Sequence, residues 1–326
     1  MTDDTSQSPR TDAVLAWLAQ QGQQVEDLTE LTGDVSLRRY FRLTSPDSTA
    51  IVAVYPSNIR AACRNFLETT RLLSRAGVRV PGVLASDCEL GLTLLEDLGS
   101  DTLYDLRDTA SATLSAYFWR ATADLQRIQS LALEEVAPLN PPLNRDLLWR
   151  ELQQTWTSLL EPRGVVADPG FSRALEETLQ ELCRLLDTES LVPCHRDFMS
   201  RNFVPVDPHP ELAVLDHQDL RLGPRHYDLA SLLNDSLFPP ATLEEEILAH
   251  HLGDEPEQRI SYHRAAAQRA LKATGTYETF GLRGDTRHRK LIPETIGRAL
   301  RHLGHLPEAT AIRSELGERV SPLLIC

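Results

Sequence analysis

The chain predicts an α+β fold in two lobes, a small N-terminal lobe built on an antiparallel sheet and a larger, mainly helical C-terminal lobe. Three observations carry this. Short apolar runs bounded by turn residues crowd into the first hundred positions, with one amphipathic helical stretch among them. Beyond Gly99, apolar residues recur at three- and four-residue spacing through long segments separated by Pro- and Gly-rich breaks. Within that helical part FVPV and LAVL, split by DPHPE, read as a strand hairpin. The lobes are therefore expected at residues 1–98 and 99–326, and a chain of 326 residues can bury a substantial core.

TDAVLAWLAQQ, residues 11–21, opens on a Thr-Asp cap and sets Val14, Leu15 and Leu18 on one face, which predicts a short packing helix. GDVS at 33–36 is a turn, followed by the strands RRYFRL and AIVAVYP, joined across TSPDST. Residues 59–76 are helical, with Phe66, Leu67, Leu72 and Leu73 apolar and Gly77 placed to end the helix. GVLASD and GLTLLEDLG complete the N-terminal sheet. Helices at 108–132, 144–161 and 171–188 follow, broken by PLNPPLN and EPRGVVADPG. Another starts within GPRHYDLASLLND after Gly223 and Pro224, and more are expected near 241–252, 256–274 and 293–304. Trp149 and Trp156 fall on the 144–161 helix and read as core, stacking on a sugar being the less common use of a helical indole.

Composition narrows the function classes. A formal net charge of -14 argues against a nucleic-acid surface, which needs a basic face to release counterions. No stretch of about eighteen uncharged apolar residues exists, so no ordinary membrane span is expected. MTDDTSQSPR lacks the basic and apolar segments of an export signal. Cys63, Cys88, Cys183, Cys194 and Cys326 form no close pair in sequence, so neither a disulfide framework nor a zinc site is expected, and a reducing cytoplasm is implied. His250 with His251, and His302 with His305, lack a further ligand at metal spacing and read as solvent-facing.

The chemistry concentrates in residues 194–230. HRDFMSRN has the pattern HxDxxxxN, in which Asp197 can accept a proton from an attacking hydroxyl while Asn202 holds a metal ion nearby. Asp216, at the end of ELAVL, supplies a second metal-binding carboxylate. Phosphoryl transfer asks the protein mainly to align two oxygens and cancel triphosphate charge, and Mg²⁺ takes one or two hard oxygen ligands from protein. HxDxxxxN alone fixes only three positions and is weak evidence. The conjunction of motif, hairpin, LDHQD and GPRHYDLASLLND is what points to a phosphotransferase.

This conjunction resembles the aminoglycoside phosphotransferase and choline kinase superfamily, over most of the chain. GDVSLRRYFRL, LLEDLGSDTLYD and HRDFMSRN together resemble the bacterial anomeric kinases of N-acetylmuramate and N-acetylglucosamine that serve cell-wall recycling. The resemblance implies a bilobal, protein-kinase-like fold and a small-molecule kinase using ATP and Mg²⁺ in the cytoplasm. The acceptor it implies is an amino sugar phosphorylated at its anomeric hydroxyl. It also implies that Gly33 lies over phosphates, although GDVS has no GxGxxG and by itself reads as a hairpin turn, that backbone groups near Glu96, Asp97 and Leu98 meet adenine, an ordinary strand end being the alternative, and that His195 shapes the catalytic loop. Asp228 is expected to buttress that loop.

One departure stands out. Kinases of this kind place a lysine on the third strand, paired with a helix glutamate. Here the strand reads AIVAVYPS, and the chain's two lysines, Lys272 and Lys290, come long after the loop. Arg38, Arg39 and Arg42 are the nearest substitute cations, with Glu68 as the carboxylate to pair with one of them; solvated edge-strand charges are the alternative use of these arginines. A protein kinase is disfavoured because DHQ runs to YDLA within a dozen residues, leaving no peptide-docking segment. The alternatives are an aminoglycoside or amino-alcohol phosphotransferase and a non-catalytic pseudokinase.

Overall fold

A computed structural model describes residues 11–31 and 38–324. Two compact units result: one takes in the described residues up to Asp101 together with Val204–Asp219, the other Thr102–Phe203 and Leu220 onward. In the first unit, α1 (Thr11–Gln20) precedes the strands β1 (Asp27–Leu31), β2 (Arg39–Ser45) and β3 (Ser48–Val54); α2 (Ala61–Arg75), β4 (Val83–Asp87) and β5 (Leu92–Glu96) follow. The five strands pair antiparallel in the order β1-β2-β3-β5-β4.

Two cores cover this sheet. Val14, Trp17 and Leu18 of α1 pack with Leu43, Val52, Val54, Leu92 and Leu94. Phe66 and Cys63 of α2 pack with Ala53, Tyr55 and Leu95. The α1 face is not the one expected, because Leu15 is exposed and Trp17 is buried in its stead. A helix three turns long buries whichever stripe removes more apolar surface, and an indole outweighs a leucine. The cysteine expectation is also overturned: Cys63 and Cys88 form a disulfide, with Cα atoms 5.6 Å apart. Cys63 opens α2 and Cys88 follows β4, so the packing of helix on sheet joins residues 25 apart in sequence.

The second unit begins with α3 (Ser111–Gln129), α4 (Leu133–Val136), α5 (Arg145–Thr155) and α6 (Pro169–Asp187). Asn144 and Asp168 cap α5 and α6 by accepting from Leu147 N–H and Phe171 N–H, as side chains of this type do at helix starts. The short strand β6 (Leu191–Cys194) leads to the hairpin β7 (Phe203–Pro205) and β8 (Leu212–Val214), and then to β9 (Arg221–Pro224), which pairs antiparallel with β6. The helices α7 (Tyr227–Asn234), α8 (Ala241–Leu252), α9 (Pro256–Leu282), α10 (Ile292–Leu303) and α11 (Arg313–Val320) finish the chain. No helix among the described residues is long and apolar enough to cross a membrane.

His302 departs from the solvent-facing expectation. It is buried on α10, within hydrogen-bond distance of Asn234 Oδ1 at 2.9 Å and of His263 Nδ1 at 3.0 Å. Trp149 and Trp156 depart in the other direction, being half-buried along an open groove with Gln153, Thr157 and Glu176. Helical geometry turns that face of α5 away from the buried Glu151.

Candidate active site

The loop after β6 is held from beneath by one carboxylate. Asp228, in the first turn of α7 and 1% exposed, accepts from the backbone N–H of His195 at 2.6 Å and of Arg196 at 2.8 Å, and from Cys194 Sγ at 3.1 Å. Burial pushes its carboxyl above the ordinary range, partly offset by these donors. Arg196 has φ of 78°, a left-handed conformation that disfavours a side chain by about 1–2 kcal/mol. Its N–H bond to Asp228 and its ion pair with Glu151 at 2.8 Å hold it there. The turn so fixed sets the direction of Asp197. Asn202 Nδ2 donates to the Asp197 carbonyl at 2.8 Å and closes the loop, while buried Phe198 packs edge-on against Phe203.

Cations from α9 surround the Asp197 carboxylate. Lys272 Nζ lies 3.0 Å and Arg269 Nη2 3.2 Å from its Oδ1. Burial opposes the charge on Asp197, but Lys272, Arg269 and Arg196 outweigh it and hold the carboxyl far below its ordinary range. Each cation has a second carboxylate: Lys272 lies 3.6 Å and Arg196 2.8 Å from Glu151, and Arg269 lies 2.8 Å from Asp235. Three carboxylates thus face three cations, and Tyr227 and Tyr277 donate to Glu151 and Asp235. Gly275 makes this possible, since a Cβ there would sit 2.2 Å from Thr155 Oγ1. Only glycine lets α9 approach α5 so closely, and that approach brings Lys272 to Glu151.

In the first unit Asp216 follows β8. The end of that strand is fixed by Val214 N–H donating to Arg79 O at 2.8 Å. The next residue, His217, is buried with its ring stacked on Phe66 at 4.7 Å and its Nε2 2.7 Å from Thr70 Oγ1, both on α2. Asp216 has φ of 58°, in the left-handed region that Asp tolerates better than most residues, and its side chain is 42% exposed. Arg38 Nη2 donates to Asp216 Oδ1 at 2.8 Å and Nη1 to Gln218 Oε1 at 2.9 Å; Gln218 Nε2 also donates to Asp216. The Arg38 guanidinium lies over the rings of Tyr40 and Tyr55. Burial works against its charge, but the field of Tyr40, Asp216 and Tyr55 raises its pKa above the ordinary value.

A carboxylate held ionised, braced from below and flanked by an ammonium, is suited to orient a hydroxyl and stabilise charge developing on it. Sequence comparison agrees with the geometry, for the profile of the Phosphotransferase enzyme family matches residues 27–267. The chain belongs to this family. The phosphotransferase is 31% identical over 315 residues to an N-acetylmuramate/N-acetylglucosamine kinase of Pseudomonas putida, covering 89% of this chain and 86% of that one. A protein of the same description from Pseudomonas aeruginosa is 31% identical over 320 residues, covering 90% and 86%. Among solved structures it resembles the gentamicin complex of APH(2")-IIa, with TM-score 0.61 and 14% identity over 90% of this chain and 96% of that one. It also resembles choline kinase LicA of Streptococcus pneumoniae, with TM-score 0.58 and 17% identity over 90% and 97%. The bilobal kinase-like fold is that of the aminoglycoside phosphotransferases and choline kinases.

Of the residues singled out in the enzyme's sequence, Asp197 and Asn202 meet in one loop of the second unit, and Arg38 and Asp216 meet in the first. The other strand arginines are spent elsewhere. Arg39 forms a two-pronged pair with Glu30 on β1, and Arg42 one with Asp97 beyond β5. Glu68 does not take the role of strand-arginine partner, because it pairs with Arg71 one turn along α2 on an exposed face. The Glu96 carboxylate accepts from Arg79 and from Gly82 N–H, and its own N–H donates to Gly82 O. Leu98 lies just beyond β5 and is half-buried. Gly33 and Cys326 fall outside the described residues. Sequence reasoning missed Lys272, Arg269 and Glu151. A signal existed in RAAAQRALKATG, where Arg269 and Lys272 lie one turn apart in an alanine-rich stretch without a nearby acid.

Proposed function

We propose that this phosphotransferase moves the γ-phosphate of ATP to the anomeric hydroxyl of N-acetylmuramate or N-acetylglucosamine, giving the sugar 1-phosphate. The observation that carries the chemistry is Asp197, ionised beside Lys272 in a loop braced by Asp228 and Asn202. The acceptor rests on the kinases of both sugars that match nearly the whole chain at 31% identity. Asp197 accepts a hydrogen bond from the hydroxyl and takes its proton as transfer proceeds, mainly by position, since an anomeric hydroxyl is more acidic than an ordinary alcohol. The ATP requirement points to the cytoplasm.

Mg²⁺ when bound would neutralise phosphate charge, and the donor set suits it. Asn202 spends its amide N–H on the Asp197 carbonyl, which leaves Oδ1 as the metal donor. Asp216 gives Oδ1 to Arg38 and Gln218 and retains Oδ2. Both are hard oxygens of the kind Mg²⁺ takes. Arg38 is the cation proposed for the nucleotide phosphates in place of a strand lysine. Mg-ATP with each reducing sugar, followed by ³¹P and ¹³C NMR of the product, tests the proposal. Phosphate on C1 supports it; phosphate on C6, or turnover only with an aminoglycoside or amino alcohol, overturns it.

A further inference from the structure

Arg201 stands in the catalytic loop one residue before Asn202 and four after Asp197. The other arginines of this layer are ion-paired, Arg196 with Glu151 and Arg269 with Asp235 and Asp197. Arg201 differs. Its guanidinium carbon lies 3.7 Å from the centroid of the Tyr104 ring, and its Nε is buried without a hydrogen-bond acceptor among the described residues. No carboxylate among the described residues forms an ion pair with it. Asp105, which feels its charge, is committed through Oδ2 to Thr102 N–H and Oγ1.

A half-buried guanidinium, fixed against an aromatic face with an unsatisfied donor, is pre-organised for an anion. An orphaned buried donor is destabilising until an acceptor arrives, and guanidinium matches a carboxylate in two-pronged fashion. Beyond the stacking on Tyr104, no hydrogen bond or ion pair among the described residues uses this group, and Asp228, Asn202 and Phe198 already fix the loop.

Resting on the acceptor proposed above, we infer that Arg201 is a specificity residue that binds the carboxylate of the acceptor sugar. The two acceptors differ in just this chemistry: N-acetylmuramate carries a lactyl ether with an ionised carboxylate, and N-acetylglucosamine has a hydroxyl in its place. Arg201 shares its loop with Asp197, the group assigned to the acceptor hydroxyl, and with Asn202, assigned to Mg²⁺, and of the two anions within that reach the acceptor carboxylate is the one assigned to it. A phosphate oxygen of the nucleotide has similar chemistry, and the experiment separates the two sources.

The test is steady-state kinetics of the full chain, Arg201→Gln and Arg201→Lys, with both sugars and with ATP varied at saturating sugar. Thermal melts check that each variant is folded. Loss of one charge-assisted contact predicts that Arg201→Gln lowers kcat/KM for N-acetylmuramate by about 10- to 100-fold while N-acetylglucosamine falls no more than about fivefold. Arg201→Lys, which keeps the charge and loses the fork, should recover part of the N-acetylmuramate activity. Equal losses with both sugars, or a raised KM for ATP with either, overturn the inference and assign the cation to phosphate. Unchanged kinetics with both sugars also overturn it. A wild-type protein that phosphorylates neither sugar instead refutes the function proposed above, so the two failures are distinguishable.

Discussion

Removing the ammonium of Lys272 while keeping its length is the sharpest test of the charged layer around Asp197. Lys272→Met deletes a charge 3.0 Å from Asp197 and 3.6 Å from Glu151. At an effective dielectric near 20, unit charges about 3 Å apart interact by roughly 5 kcal/mol before desolvation is counted. Breaking a buried pair typically costs about 3–5 kcal/mol. Asp197 retains Arg269 at 3.2 Å and Glu151 retains Arg196 at 2.8 Å, so a loss below that range, about 2–3 kcal/mol, is expected here. For a unit of this size that corresponds to a fall in Tm of about 5–10 °C. The same loss weakens the stabilised carboxylate form and raises the Asp197 pKa toward the ordinary carboxylate range. In the wild type Asp197 stays ionised throughout the range in which the protein is assayed, so it sets no acid limb above about pH 4. In the variant any acid limb set by Asp197 should lie at higher pH than in the wild type in the profile of kcat/KM against pH. Lys272→Arg should restore the limb toward the wild-type position. A folded Lys272→Met with wild-type kcat/KM and an unshifted pH profile would refute the role given to this lysine.

Further outcomes follow from other sites. Asp197→Asn should reduce turnover by about 100-fold or more with nucleotide affinity nearly unchanged, measured by kinetics and by nucleotide titration, because the lost group acts on the acceptor. Arg38→Ala should weaken nucleotide binding by about 1.5–3 kcal/mol, whereas Arg39→Ala, which breaks an exposed pair with Glu30 and a contact with the Phe41 ring, should not; equal effects contradict the assignment of Arg38. Stability should also fall in mild acid. His263 is pushed down to about 4 by burial and by His305, Arg259 and Arg301, and buried His302 is pushed well below the ordinary value. Groups whose pKa is lowered on folding bind protons more readily in the unfolded chain, so their contribution is full above about pH 6.5 and is lost as pH drops toward about 4. A Tm that stays level from pH 7 to pH 5 would contradict this.

Local patterns were legible where periodicity or turn chemistry decided the element. The hairpin of β2 and β3 across TSPDST and the limits of α8 are close to what spacing predicts. β1 was missed because DLTEL is polar and half-exposed, leaving no apolar alternation to read. β6 and β9 were missed because four-residue strands containing Pro193 and Gly223 carry turn signals, and their pairing partner lies thirty residues away. The end of α9 was expected near 274, where ATGT weakens helix propensity, yet the helix runs to Leu282. Tertiary packing overrides propensity there, since Gly275 is the residue that lets Thr155 approach. The disulfide and the burial of His302 are contacts of the same non-local kind.

The site divides along the same line, and the division bears on mechanism. Asp197, Asn202 and Asp228 lie within one short stretch of chain, so a motif can reveal them, whereas Lys272 reaches Asp197 across 75 residues and Arg38 reaches Asp216 across 178. The absent strand lysine is therefore only half of a redistribution: an arginine stands beside Asp216, the carboxylate proposed for the metal, and a helix lysine stands beside Asp197, the one proposed for catalysis. The second placement makes Asp197 a weaker base than a free carboxylate, because its charged form is stabilised. Strong basicity is not what this chemistry asks for. Phosphoryl transfer passes through a loose transition state in which the acceptor keeps most of its proton until late, so orientation of the hydroxyl counts for more than its early ionisation. Holding Asp197 ionised and immobile against Lys272 and Arg269 serves orientation at the expense of basicity, and an anomeric hydroxyl, more acidic than other sugar hydroxyls, is the acceptor that loses least by that exchange.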